Sequence, residues 1–117
     1  MEVGWKIIYY ISVSGENPVS DFLDTLQRQT QSKVIRIFHN IEEYGLQSVI
    51  PHLKKLSGTP FWEIRVLGRD SIRVIYVVAV EYQILVLHGF IKKTQKTPLK
   101  EIEIARKRYQ QTLITKK

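Results

Sequence analysis

Residues 61–97, FWEIRVLGRDSIRVIYVVAVEYQILVLHGFIKKTQKT, constrain the fold more than any other stretch. Apolar and polar residues alternate through it in three runs, and a period of two marks strands whose successive side chains face opposite ways. In the first run Trp62, Ile64 and Val66 share one side, with Glu63 and Arg65 on the other. In the second, Ile72, Val74, Tyr76 and Val78 oppose Arg73, Ile75 and Val77. In the third, Leu85 and Leu87 oppose Ile84, Val86, His88 and Phe90. Gly68-Arg69-Asp70 is a turn signal, and Glu81-Tyr82 fits a two-residue hairpin tip without the preferred Asn-Gly chemistry. These turns imply a register. Val66 against Ile72 puts Arg65 opposite Arg73, while Val80 against Gln83 puts Arg73 opposite Phe90 and Ile75 opposite His88. One face then carries Glu63, Arg65, Arg73, His88 and Phe90, and the other is apolar; a slip of one residue would undo this grouping. Like charges directly opposed destabilise a strand pair. Two facing arginines therefore imply an anion held between them.

The flanking chain supplies helices. Trp5 to Val13 is apolar, aromatic and β-branched, as a strand requires, and Ser14-Gly15-Glu16-Asn17-Pro18 closes it. Asn17 is a good N-cap, and Pro18 suits a first helical position. Val19, Phe22, Leu23 and Leu26 follow at helical spacing. A polar run, Gln27 to Ser32, separates them from a second stripe at Val34, Ile37, Phe38, Ile41 and Tyr44, which Gly45 should stop. So short a link predicts an antiparallel helical hairpin. Leu46 to Pro60 has no clear period, contains Pro51, Gly58 and Pro60, and is expected to be a loop carrying His52, Lys54 and Lys55. After Phe90 comes a lysine-rich connection ending at Thr97, expected to cap a last helix that opens with Pro98. That helix has an apolar stripe of Ile102, Ala105, Tyr109 and Leu113, while Lys100, Arg106, Lys107 and Arg108 charge its remaining surface. The expected fold is α+β: one domain over residues 1–117, with a small antiparallel sheet, an N-terminal helical hairpin and a C-terminal helix, in the order β-α-α-β-β-β-α. Helices should cover the apolar side of the sheet and leave the side bearing the arginines open to solvent.

Charge narrows the function classes. The 117 residues include 18 basic and 11 acidic ones, a net charge of +7. Such an excess favours polyanionic partners, RNA or DNA first, or else is a solvated basic surface. There is no cysteine, which excludes thiol chemistry and Cys-based zinc sites. His39, His52 and His88 are scattered, so no metal site is expected, and the isolated glycines form no phosphate loop or dinucleotide fingerprint, so no cofactor is expected. No serine sits in a nucleophile elbow. The apolar run Ile7 to Ile11 is too short for a secretory or membrane-spanning segment, and a soluble cytoplasmic protein is the expectation.

What remains is a basic constellation: Lys54, Lys55, Arg65, Arg73, His88, Lys92, Lys93 and Lys96. It suits cleavage of RNA by its own 2′-hydroxyl. That reaction needs a proton acceptor, a proton donor for the leaving 5′-oxygen and cations around phosphorus, and no metal. Arginines hold phosphate bidentately, and a histidine or a lysine of depressed pKa moves protons. Phe90 either stacks on a base or fills the sheet edge. His88 either moves protons or is a structural imidazole bonded to backbone. Arg65 either binds phosphate or pairs with Glu63 or Asp70. Lys92 and Lys93 either contact RNA or form a solvated connection.

At this point the chain resembles a known family. Leu87-His88-Gly89-Phe90-Ile91-Lys92-Lys93-Thr94-Gln95-Lys96-Thr97-Pro98, followed by Glu101-Ile102-Glu103-Ile104-Ala105, is similar to the phage-derived HigB-like branch of the RelE toxin superfamily. Phe61 to Val66, Ile72 to Tyr76, Lys54-Lys55-Leu56-Ser57-Gly58 and Asn17-Pro18-Val19 extend the resemblance to nearly the whole chain. It implies the toxin of a type II toxin–antitoxin pair. Such a toxin is an endoribonuclease that cleaves mRNA without metal, in many cases in the ribosomal A site, and is neutralised by an antitoxin that in this branch is typically a helix-turn-helix protein. By the same resemblance Lys54 and Lys55 assist proton transfer and Arg65 and Arg73 hold the scissile phosphate. His88 lies where some relatives place a catalytic histidine, and Lys92 and Lys93 contact RNA. One position departs: RelE uses a tyrosine on the approach to its last helix, where this chain has Leu99 or Lys100. The alternative is a protein of the same fold that binds nucleic acid or regulates without cleaving.

Overall fold

In the computed structural model, which describes residues 4–68 and 71–115, the strands of the central stretch form the middle of a five-stranded sheet. In chain order the elements are β1 (Lys6–Tyr9), α1 (Pro18–Asp24), α2 (Arg28–Tyr44), a 3-10 segment (Leu46–His52), β2 (Leu53–Lys55), β3 (Trp62–Val66), β4 (Ile72–Val80), β5 (Gln83–Ile91) and α3 (Leu99–Thr115). The strands lie in the order β1-β5-β4-β3-β2. The implied register holds: Val66 faces Ile72, Arg65 faces Arg73, Val80 faces Gln83, Arg73 faces Phe90 and Ile75 faces His88. The turn at Gly68-Arg69-Asp70 falls in part outside the described residues.

The sheet departs from expectation in two ways. It is mixed, because β1 pairs in parallel with β5, Lys6 opposite Gln83 through Tyr9 opposite Val86. A parallel partner needs a long crossover, and the helices between β1 and the later strands provide one. It also has an extra edge strand, β2, inside the segment expected to be a loop. With only three residues and Pro51 just before it, β2 carries no alternation that a sequence could display.

Asn17 caps α1 as expected, its side chain accepting from the Ser20 N–H at 3.1 Å. Gly45 ends α2 at φ +83°, a conformation that suits glycine. α2 begins at Arg28, so the polar run is mostly its exposed first turns rather than a linker. Gln31 Nε2 donates to the Leu23 carbonyl across the short link. Neither helix packs chiefly on the other: α1 lies against β5, and α2 lies against the 3-10 segment and, less extensively, β1 and β3.

Together they bury the apolar face. Val19 and Leu23 of α1 and Val34, Ile37, Phe38 and Ile41 of α2 meet Ile64, Val66, Ile72, Val74, Tyr76, Ile84 and Val86 of the sheet. Gly89 is the close approach in this layer: a Cβ there would lie 2.7 Å and 3.0 Å from carbons of the Phe22 ring. Gly89→Ala is therefore expected to lower the unfolding free energy by about 1–3 kcal/mol through overpacking. Urea titration checks it, and an unchanged midpoint would mean that Phe22 swings aside without resistance.

The opposite face is not the open polar surface that alternation implied. α3 covers the part formed by β4 and β5, and Phe61, Ile75, Val77, Leu85, Leu87, Phe90 and Ala105 form a second core with Ile102 and Tyr109. A β-bulge explains the discrepancy. The register shifts between the Ile75–His88 and Tyr76–Val86 pairs, so Leu87 is an extra residue on β5, and it shifts back between Val78 and Val80, where Ala79 is extra on β4. Between the two shifts Leu85 and Leu87 turn to the side of Phe90 and join one cluster with it. Strict alternation had set the leucines against Phe90. With Ile75 and Val77 they make an apolar half that needs a cover, and the α3 stripe supplies it. The polar half lies beside it. There Glu63 is fully buried and Arg73 is 7% exposed.

Among the described residues no helix is long and apolar enough to cross a membrane.

Candidate functional site

Partners directly opposite in an antiparallel sheet share a face. Lys54 lies opposite Glu63, Glu63 opposite Ile75 and Ile75 opposite His88, so these four make one row across β2, β3, β4 and β5. Arg65, Arg73 and Phe90 make the next row. Lys92, just past β5, completes the group, since its ammonium is close enough to feel Arg73, Glu63, Lys54 and Arg65. The result is four cations around one carboxylate.

Glu63 is at the centre. Its Oε2 accepts a hydrogen bond from Thr97 Oγ1 at 2.5 Å. Its Oε1 stands 3.3 Å from Arg73 Nε, in ion-pair contact without a hydrogen-bonding angle. Arg73 Nη1 donates to the Ile72 carbonyl at 3.1 Å. The Nε–H groups of both Arg65 and Arg73 lie buried without a hydrogen-bond acceptor. Such a state is costly in a protein interior, and a phosphate oxygen is the kind of acceptor two neighbouring guanidinium groups take.

Burial is the first cause that lowers the pKa of Arg73; Glu63 opposes it and Arg65 adds to it. Lys92 is also held below the ordinary lysine value. Burial is again the first cause, with Arg73, Lys54 and Arg65 reinforcing it and Glu63 opposing. A lysine that gives up its proton more easily than usual, beside a pair of guanidinium groups, is equipped for proton transfer.

His88 is engaged elsewhere. Its Nε2 is 2.9 Å from Glu101 Oε1, and its Nδ1 is 3.2 Å from Arg108 Nη1. A guanidinium only donates, so Nδ1 accepts and Nε2 carries the proton toward Glu101. Burial lowers the pKa of His88, Glu101 raises it and Arg108 lowers it. Phe90 stacks on the imidazole with ring centroids 5.4 Å apart, and Arg108 also donates to the Leu87 carbonyl and lies over the Tyr10 ring. The imidazole thus ties α3 to the sheet through side chains, not through the backbone bond expected of a structural histidine. Phe90 is 6% exposed and belongs to the second core, which leaves no ring face for a base.

The other sequence candidates divide. Lys55 pairs with Trp62 and points away from the cluster, its Nζ donating to the Leu56 carbonyl at 3.3 Å and to the Thr59 carbonyl. Lys93 and Lys96 are exposed on the connection into α3. Arg65 makes no pair with Glu63, which Arg73 takes instead, and Asp70 lies outside the described residues. Thr97 donates its hydroxyl to Glu63, and α3 opens at Leu99, one residue after Pro98. Glu63, Thr97 and Glu101 were missed as site residues. For Glu63 a signal existed, because alternation already set it beside two arginines.

The model of a family described as phage-derived protein Gp49-like (DUF891) matches residues 21–110, a span running from α1 into α3 that contains every residue of the cluster. No curated protein matches the chain.

Proposed function

We propose that this chain, which belongs to the phage-derived Gp49-like family, a family in the RelE/HigB-like toxin–antitoxin context, is a type II toxin that cleaves mRNA on the ribosome. The observation that carries the proposal is the pair of cross-strand arginines, with unsatisfied Nε–H groups, flanked by Lys54 and Lys92 on one face.

In this mechanism Arg65 and Arg73 bind the non-bridging oxygens of the scissile phosphate and offset the charge that builds there. Lys92, in its neutral form, accepts the proton of the 2′-hydroxyl as that oxygen attacks phosphorus. The ammonium of Lys54, exposed at the sheet edge, protonates the leaving 5′-oxygen. The products are a 2′,3′-cyclic phosphate and a 5′-hydroxyl. Side chains supply every charge, so no metal enters. Lys93 and Lys96 track the RNA backbone next to the site. The partner is an acidic segment of a helix-turn-helix antitoxin, drawn to the basic surface of α3 around Lys100 and Lys107.

Arg73's burial favours a second interpretation, in which the arginine is structural and the protein binds RNA without cutting it. Kinetics separate the two. With mRNA-programmed ribosomes, cleavage by the native protein should accelerate with pH and level off below the ordinary lysine value of 10.5, because Lys92 must first lose its proton. Lys92→Arg keeps the charge but has no neutral form that could accept a proton. It is expected to cut about 100-fold more slowly and to lose the pH dependence. A protein that only binds RNA gives no cut at any pH.

A further inference from the structure

A fully buried glutamate is an unexpected companion for a phosphate site. Its negative charge subtracts from the potential that would attract RNA, and burying it is costly unless it is well paired. Glu63 has no exposed surface, so it is shielded from both substrate and solvent. Its two oxygens reach different parts of the chain. Oε1 faces Arg73 on β4, and Oε2 takes the hydroxyl of Thr97, 34 residues further along. Thr97 ends the connection that begins at Lys92. At the near end, the Lys92 N–H donates to the Ser71 carbonyl at 2.7 Å. At the far end, Thr97 is fastened to Glu63. The segment bearing Lys92, Lys93 and Lys96 is thus pinned at both ends, and one of the two pins also holds the arginine.

We propose that Glu63, acting together with Thr97, is a positioning residue that sets Arg73 and the 92–97 segment in the one arrangement the cleavage step needs. This inference rests on the cleavage mechanism above. It differs from a spectator role in the sign of what Glu63→Gln does. If Glu63 only weakened the positive field, removing its charge would tighten RNA binding and leave cleavage equal or faster. A positioning role predicts instead that binding is kept while turnover is lost.

The experiment compares the native protein, Glu63→Gln, Thr97→Val and Thr97→Ser. Cleavage is followed on programmed ribosomes at saturating mRNA, binding is measured to a fully 2′-O-methylated oligoribonucleotide, and melting curves confirm folding. Glu63→Gln is expected to slow cleavage about 100-fold and to bind the methylated RNA as tightly as the native protein or more so. Thr97→Val, which keeps the volume and deletes the hydroxyl, is expected to be about tenfold slower, and Thr97→Ser should restore the native rate. If Glu63→Gln does not fold, the Thr97 pair decides alone. Native cleavage rates in the folded variants would overturn the inference and leave the nuclease mechanism standing. A native protein that cuts no mRNA would remove that mechanism, and the positioning role with it.

Discussion

Arg65→Ala should abolish growth arrest on expression and slow mRNA cleavage by about 10²–10³-fold, the range seen when one preorganised donor to a developing anion is removed. The fold should survive. Arg65 is only partly buried, it forms no ion pair with Glu63, and its Nε–H has no acceptor to strand. Truncation removes an unsatisfied donor rather than one half of a bond, and that is the less damaging case. The checks are a toxicity assay and a melting curve taken together. A folded Arg65→Ala protein that still arrests growth at the native level would contradict the phosphate role.

Arg73→Ala should fail for a different reason. Arg73 and Glu63 form an ion pair with side chains 8% and 0% exposed. Deleting the guanidinium leaves the buried carboxylate hydrogen-bonded to the Thr97 hydroxyl but without its ion-pair partner, and breaking a buried pair from one side typically costs about 3–5 kcal/mol. The variant should unfold at markedly lower urea concentration, so its loss of activity mixes chemistry with stability. Arg73→Ala combined with Glu63→Gln should recover part of that loss, because the two residues are coupled. If Arg73→Ala alone were as stable as the native protein, the carboxylate would have found another partner, and the central role given to Glu63 would be wrong.

The contrast between the two arginines marks where sequence reasoning works and where it stops. Turn chemistry and alternation were enough to place Arg65 opposite Arg73, because that hairpin runs without interruption, while Ile75 meets His88 because two shifts in the second hairpin cancel. Asn17, Pro18 and Gly45 marked helix ends for local reasons that tertiary packing did not override. The parallel pairing of β1 with β5 depends on contacts some 77 residues apart, and nothing in Lys6–Tyr9 encodes it. The bulge at Leu87 is invisible for a similar reason. One inserted residue reassigns the face of the residues just before it, and no residue type there announces it. It carries Leu85 and Leu87 over to Ile75 and Val77, and the α3 stripe covers them. The cationic cluster was legible because strand alternation carries charge as faithfully as hydrophobicity. Its organisation around Glu63 was not, since the fastening by Thr97 crosses from the approach to α3 back to β3.

The most direct test of the account is the chemistry of the cut ends. mRNA recovered after induction should carry a 2′,3′-cyclic phosphate on the upstream fragment and a 5′-hydroxyl on the downstream one. Replacing the 2′-hydroxyl by hydrogen at the mapped nucleotide should leave that position uncut in programmed ribosomes. A 5′-phosphate at the cut, or undiminished cleavage of the 2′-deoxy substrate, would contradict the claim that the face of Lys54, Arg65, Arg73 and Lys92 promotes attack by the RNA's own hydroxyl.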